Sequence, residues 1–266
     1  MTNAIKDFYR SNGYYIHESP ILDARLVTAT REGMDKVISG NYDTGNPPEE
    51  SVWKPGDDPQ SLCKIEMPQK ANRAIRELIR SSQIGECVAT ATGAKMVQVW
   101  WVQLLLKPSI PQGEIAQTNV GWHHDWSYWH SLWTESSELL TVWFALSDVS
   151  ENSGPMKFVP GSHQWKNPGG GDFSSQEIDQ SNFSVPKGET WGEVMAVMQA
   201  GGMSLHDKRT IHGSGQNTST GPRRSLAIHL RTEKSRPFDR NQHNRFIEDP
   251  DICPVVYGSR VDAAFL

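Results

Sequence analysis

The chain has 266 residues, which one large domain can account for, and its net charge of −5 at pH 7 argues against the clustered basic residues of a nucleic-acid-binding domain. Its three cysteines, Cys63, Cys87 and Cys253, are too few and too far apart for a disulfide framework, which favours a reducing compartment. The sequence shows no signal peptide and no apolar run of the ~20 residues that span a bilayer, so we expect a cytoplasmic protein that binds neither membranes nor nucleic acids.

Helices are predicted mainly in the first third of the chain. Apolar residues recur at roughly helical spacing in residues 23–39 and 71–80, and a shorter helix is expected over residues 4–12, where Gly13 ends it. Residues 41–60 contain four prolines, which excludes a helix or a central strand and predicts a long loop. Loops of this length often act as lids or binding loops.

Strands are predicted from residue 95 onward. Short β-like runs bounded by turn-forming residues occur at 96–106, 141–146, 156–159, 202–206 and 225–231. Helices followed by strands predict a single domain over residues 1–266, mainly β with flanking helices, in which residues 1–94 are mainly a helical layer and loop. The segment 167–182, rich in Gly and Ser, is predicted to be a mobile loop.

Residues 122–126, with the sequence WHHDW, carry the first candidate metal ligands. In an extended strand alternate side chains share a face, so we expect His123 and Asp125 to point the same way and His124 the other way. With His212 as a third ligand, two imidazoles and one carboxylate would leave three positions of an octahedral metal open, which is typical of non-haem iron(II) oxygenases. The pair of His123 and Asp125 alone is equally well explained by an ordinary hydrogen bond.

Arg223 lies eleven residues after His212 and adds weight to the metal-site interpretation. The segment between them is rich in turn formers and precedes a predicted strand, so a chain reversal can bring Arg223 back beside His212. A planar guanidinium binds a carboxylate through two parallel hydrogen bonds, which lysine cannot reproduce. The 5-carboxylate of 2-oxoglutarate, whose other end binds iron, requires such a partner. Taken alone, Arg223 would be better explained as a surface ion-pair partner.

Further motifs occur in a fixed order along the chain: WHxD at 122–125, WFALSD at 143–148, NSG at 152–154, VPGSH at 159–163, a glycine pair at 201–202, HGSGQN at 212–217 and two arginines at 223–224. In order and spacing the sequence resembles the phytanoyl-CoA dioxygenase family of iron(II)- and 2-oxoglutarate-dependent oxygenases. The resemblance covers most of the chain. It implies a double-stranded β-helix, a jelly roll of the cupin type, for residues 95–266, with helices against one sheet.

The resemblance implies that His123, Asp125 and His212 bind Fe(II) and form the catalytic centre, and that Arg223 binds 2-oxoglutarate. The implied activity is hydroxylation, or a related oxidation, of an unactivated C–H bond in a small-molecule substrate, with O2 as oxidant and succinate and CO2 as products. Halogenases that resemble this family have Gly or Ala where this sequence has Asp125, so halogenation is not expected.

The resemblance also assigns Trp143 to the co-substrate pocket and places Gln103 and Lys107 on a strand that often contacts 2-oxoglutarate. Ser214, two residues beyond His212, could hydrogen-bond near the same site. An aromatic cluster just after the metal-binding motif and one downstream arginine, for which an exposed position is the alternative, are candidates for the substrate pocket: Trp126, Tyr128, Trp129 and Arg231.

Two histidines compete with these assignments. His206 could replace His212 as a ligand, but the spacing to Arg223 favours His212. His124 could replace His123, but Asp125 would then be its immediate neighbour on the opposite face. The alternative functions are a non-catalytic metal-binding jelly roll and a cupin-type enzyme that does not use 2-oxoglutarate. Neither alternative explains the spacing to Arg223, and the sequence does not indicate an oligomeric state.

Overall fold

The helices of the protein lie mainly at its N-terminal end. The computed structural model describes residues 2–49, 51–111, 114, 117–238 and 244–261. It contains α1 (Thr2–Asn12), α2 (Ala24–Ile38), α3 (Arg73–Ile79) and α4 (Ser82–Thr92) before the first long strand. The sequence predicts the first three of these helices and misses α4, whose Gly85 and β-branched residues are weak helix formers. Helix α4 forms because Ile84 and Val88 are buried on one face.

The strands alternate along the chain with long connections. They are β1 (Tyr14–His17), β2 (Cys63–Glu66), β3 (Val97–Lys107), β4 (Val120–His123), β5 (Leu139–Ala145), β6 (Met156–Phe158), β7 (Val194–Met195), β8 (Met203–Asp207), β9 (His212–Ser214), β10 (Arg223–Thr232) and β11 (Val255–Tyr257). A short helix, α5 (Trp126–Trp129), follows β4. The five predicted strands correspond to β3, β5, β6, β8 and β10.

Two antiparallel sheets make up the β structure. The large sheet has the order β1-β8-β5-β10-β3-β11, with β2 also paired to β3, and the small sheet has the order β4-β9-β6-β7. Tyr14 of β1 stacks on Phe158 of β6 with ring centroids 5.0 Å apart, so the sheets pack face to face as in a jelly roll. Strands β1 and β2 come from residues 1–94, so this region adds to the large sheet as well as forming the helical layer.

The two faces of the large sheet have different partners. On β10, Leu226 and Ile228 belong to the apolar cluster that packs under the helices, while Ala227 faces the small sheet. This alternation is the period of two expected for a strand buried on both faces. The inner face therefore carries the side chains that meet β4, β6 and β9.

None of the described helices is both long and apolar enough to cross a membrane.

Strand β3 contains a β-bulge beside the end of the inner face. His229 of β10 pairs with Trp101, but the next residue, Leu230, pairs with Val99, so Trp100 is an extra residue without a direct partner on β10. Two consecutive tryptophans, Trp100 and Trp101, consequently face the same interior space.

All three cysteines are free, as the sequence predicts.

Candidate metal and co-substrate site

Three side chains converge between the two sheets. His123 is the last residue of β4, Asp125 precedes α5, and His212 begins β9, where it pairs directly with His123. The Nε2 atoms of His123 and His212 lie 3.9 and 3.8 Å from Asp125 Oδ1. One ligand atom from each of the three residues lies within 4.8 Å of the others, and all three residues are buried. The structure thus brings together the three predicted metal ligands.

Strand alternation does not explain how His123 and Asp125 meet. The ladder of β4 ends at His123, and Asp125 has φ −58° and ψ −31°, which is helical backbone. The chain turns into α5 at this point, and that turn directs the carboxylate back towards the two imidazoles. The expectation of a shared strand face was wrong, although the two side chains do converge.

Backbone carbonyl groups fix both imidazole rings. His123 Nδ1 lies 2.8 Å from the Gly121 carbonyl oxygen, and His212 Nδ1 lies 2.9 Å from the Thr210 carbonyl oxygen. A carbonyl oxygen only accepts hydrogen bonds, so each Nδ1 must carry the proton and donate it. Each Nε2 then has its lone pair directed towards Asp125. This tautomer of histidine is the one that binds a metal through Nε2.

The electrostatics of the triad suit a divalent cation. Burial lowers the pKa of both His123 and His212, and the charge of His123 adds to the effect on His212. Burial would raise the pKa of Asp125, but the neighbouring imidazoles of His212 and His206 hold it well below its usual value. At neutral pH the site therefore combines two uncharged imidazoles with one carboxylate, a ligand set that fits iron(II) and leaves coordination positions open.

A second polar group lies along the same cavity, around Arg223. The Arg223 guanidinium donates hydrogen bonds to the Gly154 carbonyl oxygen and to Ser214 Oγ, the latter at 3.0 Å, and lies 5.0 Å from the centre of the Trp143 ring. Lys107 pairs with Arg223 in the sheet, and its Nζ lies 2.6 Å from the same Ser214 Oγ. The predicted chain reversal after His212 is thus present.

Arg223 and Lys107 are two buried cations with no carboxylate within 4.0 Å among the described residues. Burial lowers the pKa of Arg223 to about 9, and burial together with the charge of Arg223 lowers the pKa of Lys107 well below its usual value. The Nε atom of Arg223 is buried and has no hydrogen-bonding partner. An entering carboxylate would neutralise the buried positive charge and would accept a hydrogen bond from Arg223 Nε. This group therefore fits one end of a dicarboxylate such as 2-oxoglutarate.

A cavity of about 780 Å³ connects the two groups. Of the predicted residues, Gln103, Trp143, Ser214, Tyr128 and Trp129 line it, together with Arg223 and the three metal-ligand candidates. The Gln103 amide donates to Glu66 Oε1 at 3.2 Å. Lys107 lies behind Ser214 and does not line the cavity, because its ammonium group also bonds the carbonyl oxygens of Ser214 and Gly215.

Two predicted pocket residues lie elsewhere. Trp126 is outside the cavity lining, since its ring packs under the Lys208 ammonium group at 4.1 Å. Arg231 also lies outside the cavity lining. It is buried rather than exposed, and it lies on the same face of β10 as Arg223. Its guanidinium donates to Gln98 Oε1 at 2.7 Å and to the Val261 carbonyl oxygen at 2.7 Å. These contacts hold Arg231 in a buried structural position.

The competing histidines are neighbours of the triad. His206 lines the cavity with its Nε2 3.4 Å from Asp125 Oδ2, but it is not part of the group of three converging ligand atoms. His124 turns away, and its ring nitrogens lie 3.1 Å from Ser127 Oγ and 3.3 Å from the Gly169 carbonyl oxygen. The geometry therefore favours His123 and His212 over both rivals.

Several cavity residues were missed by the sequence analysis. Thr141 and His229 lie on the inner face beside the triad, and Phe173, in the segment predicted as a mobile loop, packs edge-on against His123 with centroids 5.3 Å apart. Strand parity could have found two of them: Thr141 is two residues from Trp143 on β5, and His229 is six residues from Arg223 on β10. No comparable signal marks Phe173.

Comparison with curated sequences finds several similar dioxygenases. An alpha-ketoglutarate-dependent hypophosphite dioxygenase, described as probable, from Stutzerimonas stutzeri is 32% identical over 180 residues, which cover 66% of this chain and 59% of the relative. An ectoine dioxygenase from Bordetella parapertussis is 26% identical over 192 residues, which cover 67% of this chain and 59% of the relative. The chain therefore spans about three fifths of the length of these curated relatives.

Solved structures confirm the jelly-roll fold. The alpha-ketoglutarate-dependent carbocyclase SnoK from nogalamycin biosynthesis has a TM-score of 0.69 at 24% identity, covering 89% of this chain and 86% of that chain. The epimerase SnoN, in complex with Fe3+, alpha-ketoglutarate and nogalamycin RO, has a TM-score of 0.68 at 24% identity. The match covers 98% of this chain and 92% of the SnoN chain. The sequence model for phytanoyl-CoA dioxygenase matches residues 9–225, and the chain belongs to the phytanoyl-CoA dioxygenase family.

Proposed function

We propose that the protein is an Fe(II)- and 2-oxoglutarate-dependent dioxygenase that oxidises an unactivated C–H bond of a small molecule and releases succinate and CO2. One observation carries this proposal: a two-histidine, one-carboxylate triad and the buried cation Arg223, with Lys107 behind it, lie along the same cavity. A non-catalytic metal site would need the triad only. A cupin-type enzyme without 2-oxoglutarate would have no use for the buried cations.

His123, Asp125 and His212 would hold the iron, and Arg223 would hold the 5-carboxylate of 2-oxoglutarate. Bound there, iron and 2-oxoglutarate together supply the activation of O2 that C–H oxidation needs. The protein's part is positioning: backbone carbonyl groups orient both imidazoles, and Trp143 supports the Arg223 guanidinium from one side. Burial of the triad keeps water away from the reacting groups.

The rest of the cavity would take the substrate. Its wall on that side is largely aromatic, with Trp100, Trp101, Tyr128, Trp129 and Phe173. Lys64 and Arg223 are the Lys and Arg side chains among the described lining residues, and Lys64 pairs with Glu66 at 3.3 Å. Coenzyme A esters carry several phosphates that this wall would not neutralise. The volume of about 780 Å³ instead suits a free small molecule beside 2-oxoglutarate.

Asp125 supports hydroxylation or a related oxidation over halogenation. With iron bound, its carboxylate would occupy the position that a halide would need. The structural neighbours include an epimerase and a carbocyclase, so enzymes with other reaction outcomes share this fold. We expect a product without halogen even when the reaction is run in concentrated chloride or bromide, and mass spectrometry would show a halogen isotope pattern if this is wrong.

A succinate-release screen tests the proposed function. Purified protein is incubated with Fe(II), 2-oxoglutarate, O2 and a panel of uncharged or zwitterionic small molecules, and succinate is quantified with and without each candidate. We expect candidate-dependent succinate release that disappears in Asp125→Ala. Anaerobic binding of Fe(II) and 2-oxoglutarate is measured on the same preparation. It distinguishes a panel that lacks the substrate from a protein that lacks the activity. A protein that binds neither cofactor would contradict the proposal.

A further inference from the structure

Asp125 has one carboxylate oxygen that faces away from the two histidine ligands. Its Oδ1 atom lies 3.9 and 3.8 Å from the Nε2 atoms of His123 and His212. Its Oδ2 atom instead lies 2.8 Å from the Thr141 hydroxyl and 3.4 Å from His206 Nε2. The two oxygens of this carboxylate therefore have different partners, although either oxygen alone could bind a metal.

The residues around Oδ2 form a row across the large sheet. Thr141 on β5 pairs directly with His206 on β8 and with His229 on β10, so the three side chains lie side by side on the inner face. All three are buried. Strand pairing fixes the backbone positions of these three residues, so their side chains start from adjacent points on the sheet.

The hydrogen-bond inventory of Thr141 fixes the direction of this network. Its hydroxyl has one proton, and the metal-binding carboxylate can only accept, so Thr141 donates to Asp125 Oδ2. The His229 Nδ1 atom, 2.9 Å from Thr141 Oγ1, must then be the donor to the hydroxyl oxygen. Thr141 consequently holds the carboxylate from one side while His229 holds Thr141.

His206 supplies a second polar group next to the same oxygen. It is 1% exposed, its ring is 4.2 Å from that of His212, and neither ring nitrogen has a hydrogen-bonding partner. A buried imidazole N–H without a partner is costly, and Asp125 Oδ2 lies 3.4 Å from Nε2. A shift of a few tenths of an ångström when the carboxylate binds a metal would complete that bond.

We propose that Thr141 and His206 hold the outer oxygen of Asp125, so that the carboxylate binds the metal through Oδ1 alone and leaves three coordination positions open. Both are positioning residues, since they act through Asp125. A carboxylate that used both oxygens would occupy one of the positions that 2-oxoglutarate and O2 require. This inference rests on the proposed function, because it assumes that the triad binds Fe(II).

Metal affinity separates positioning from general stability. Thr141→Val removes the hydroxyl at nearly constant volume, Thr141→Ser keeps it, and Thr30→Val makes the same change at a buried threonine of α2 far from the site. Anaerobic Fe(II) affinity is measured by calorimetry, and melting temperature by circular dichroism. We expect a roughly ten- to hundredfold weaker affinity in Thr141→Val, with near-normal affinity in Thr141→Ser and Thr30→Val. Equal affinities in Thr141→Val and the unmodified protein would overturn the proposal.

His206 gives an independent arm of the experiment. His206→Gln keeps a side-chain N–H that can reach Asp125, whereas His206→Leu removes it. We expect weaker Fe(II) binding in the leucine variant and recovery in the glutamine variant, and equal loss in both would contradict the role of the N–H. Unmodified protein that binds no Fe(II) would instead refute the proposed function, so the two failures are distinguishable.

A crystal structure of Mn(II)-loaded Thr141→Val provides a direct readout. We expect both oxygens of Asp125 on the metal in this variant and one oxygen in the unmodified protein. One-oxygen binding in both structures would show that Thr141 does not set the coordination mode.

Discussion

The two ends of the cavity are built in different ways. At the metal end, each histidine ligand is oriented by a hydrogen bond to a backbone carbonyl, and the strands that carry His123 and His212 pair directly. At the substrate end, the wall comes from a bulged strand, the short helix α5 and the segment containing Phe173. The sheets fix His123 and His212 at the first end, while the second end depends largely on connections between strands. Asp125 belongs to both ends, because it lies at the turn into α5.

This difference predicts that the substrate wall can vary while the candidate metal end keeps its geometry, because the backbone hydrogen bonds of His123 and His212 do not depend on the side chains of the wall. The similar proteins include an ectoine dioxygenase and a probable hypophosphite dioxygenase, which are named for very different compounds. Substitutions at each end test whether the two ends are independent in this protein.

The largest expected effect is at the metal end. His212→Ala should abolish Fe(II) binding and the weak visible absorption band expected when 2-oxoglutarate is added without oxygen, because two ligands cannot hold the metal in place of three. Anaerobic absorption spectroscopy measures this. His206→Ala is the matched comparison: it should weaken Fe(II) binding but show the band at saturating Fe(II). A band that survives in His212→Ala and vanishes in His206→Ala would show that His206 is the ligand.

The next largest effect concerns Arg223. Arg223→Lys keeps a positive charge but loses the forked pair of donors, at a cost of about 1.5–3 kcal/mol, so the dissociation constant for 2-oxoglutarate should rise roughly ten- to a hundredfold. Iron affinity should change little. Arg224→Lys is the control, since Arg224 pairs with Asp35 of α2 at 3.0 Å and not with the cavity. Equal effects of the two substitutions would contradict the assignment.

A smaller effect is expected from pH. Burial lowers the pKa of Arg223 to about 9, and burial together with the charge of Arg223 lowers the pKa of Lys107 well below its usual value. Both side chains therefore lose their charge at lower pH than free arginine and lysine, so 2-oxoglutarate affinity should fall as pH rises from 7 towards 9. Lys107→Met removes one of the two titrating groups and should show a weaker pH dependence. Calorimetric titrations across this range check both, and a pH-independent unmodified protein would be the contrary result.

The smallest effect is expected at the substrate end. The Tyr128 hydroxyl accepts a hydrogen bond from the Phe173 backbone amide at 2.8 Å, which links α5 to the segment over His123. Tyr128→Phe should cost about 0.5–1.5 kcal/mol of local stability, seen as faster amide exchange near Phe173. Iron and 2-oxoglutarate affinities should not change. If they fall with the amide protection, the two ends of the cavity are coupled rather than independent.

The sequence predicts the metal end better than the substrate end, for physical reasons. A candidate metal ligand such as His212, or a candidate carboxylate partner such as Arg223, must be a specific residue type at a spacing that the sheet imposes, so a pattern in one sequence can indicate it. Even there, the reasoning from strand alternation failed at Asp125, because a helical turn after a strand leaves no distinctive mark in so short a segment. Trp126 and Arg231 lie outside the cavity lining, because parity and proximity in the sequence do not show which partner a side chain contacts.

The fold shows the same division. Long runs with a clear apolar pattern, such as β3 and β10, are predictable because their side chains are buried on both faces of the strand. The four-residue strands β1 and β2 and the helix α4 are not, since their formation depends on tertiary partners that a local pattern does not reveal.

The bulge at Trp100 has a consequence for how such a cavity can diverge. Because His229 pairs with Trp101 and Leu230 pairs with Val99, removing Trp100 would leave a regular ladder on both sides and would not change the pairing of Lys107 with Arg223. A single-codon deletion there would therefore remove one aromatic side chain from the cavity wall and leave the metal end intact. A bulged residue is thus a position where the wall can lose a side chain without a change in the register of the sheet.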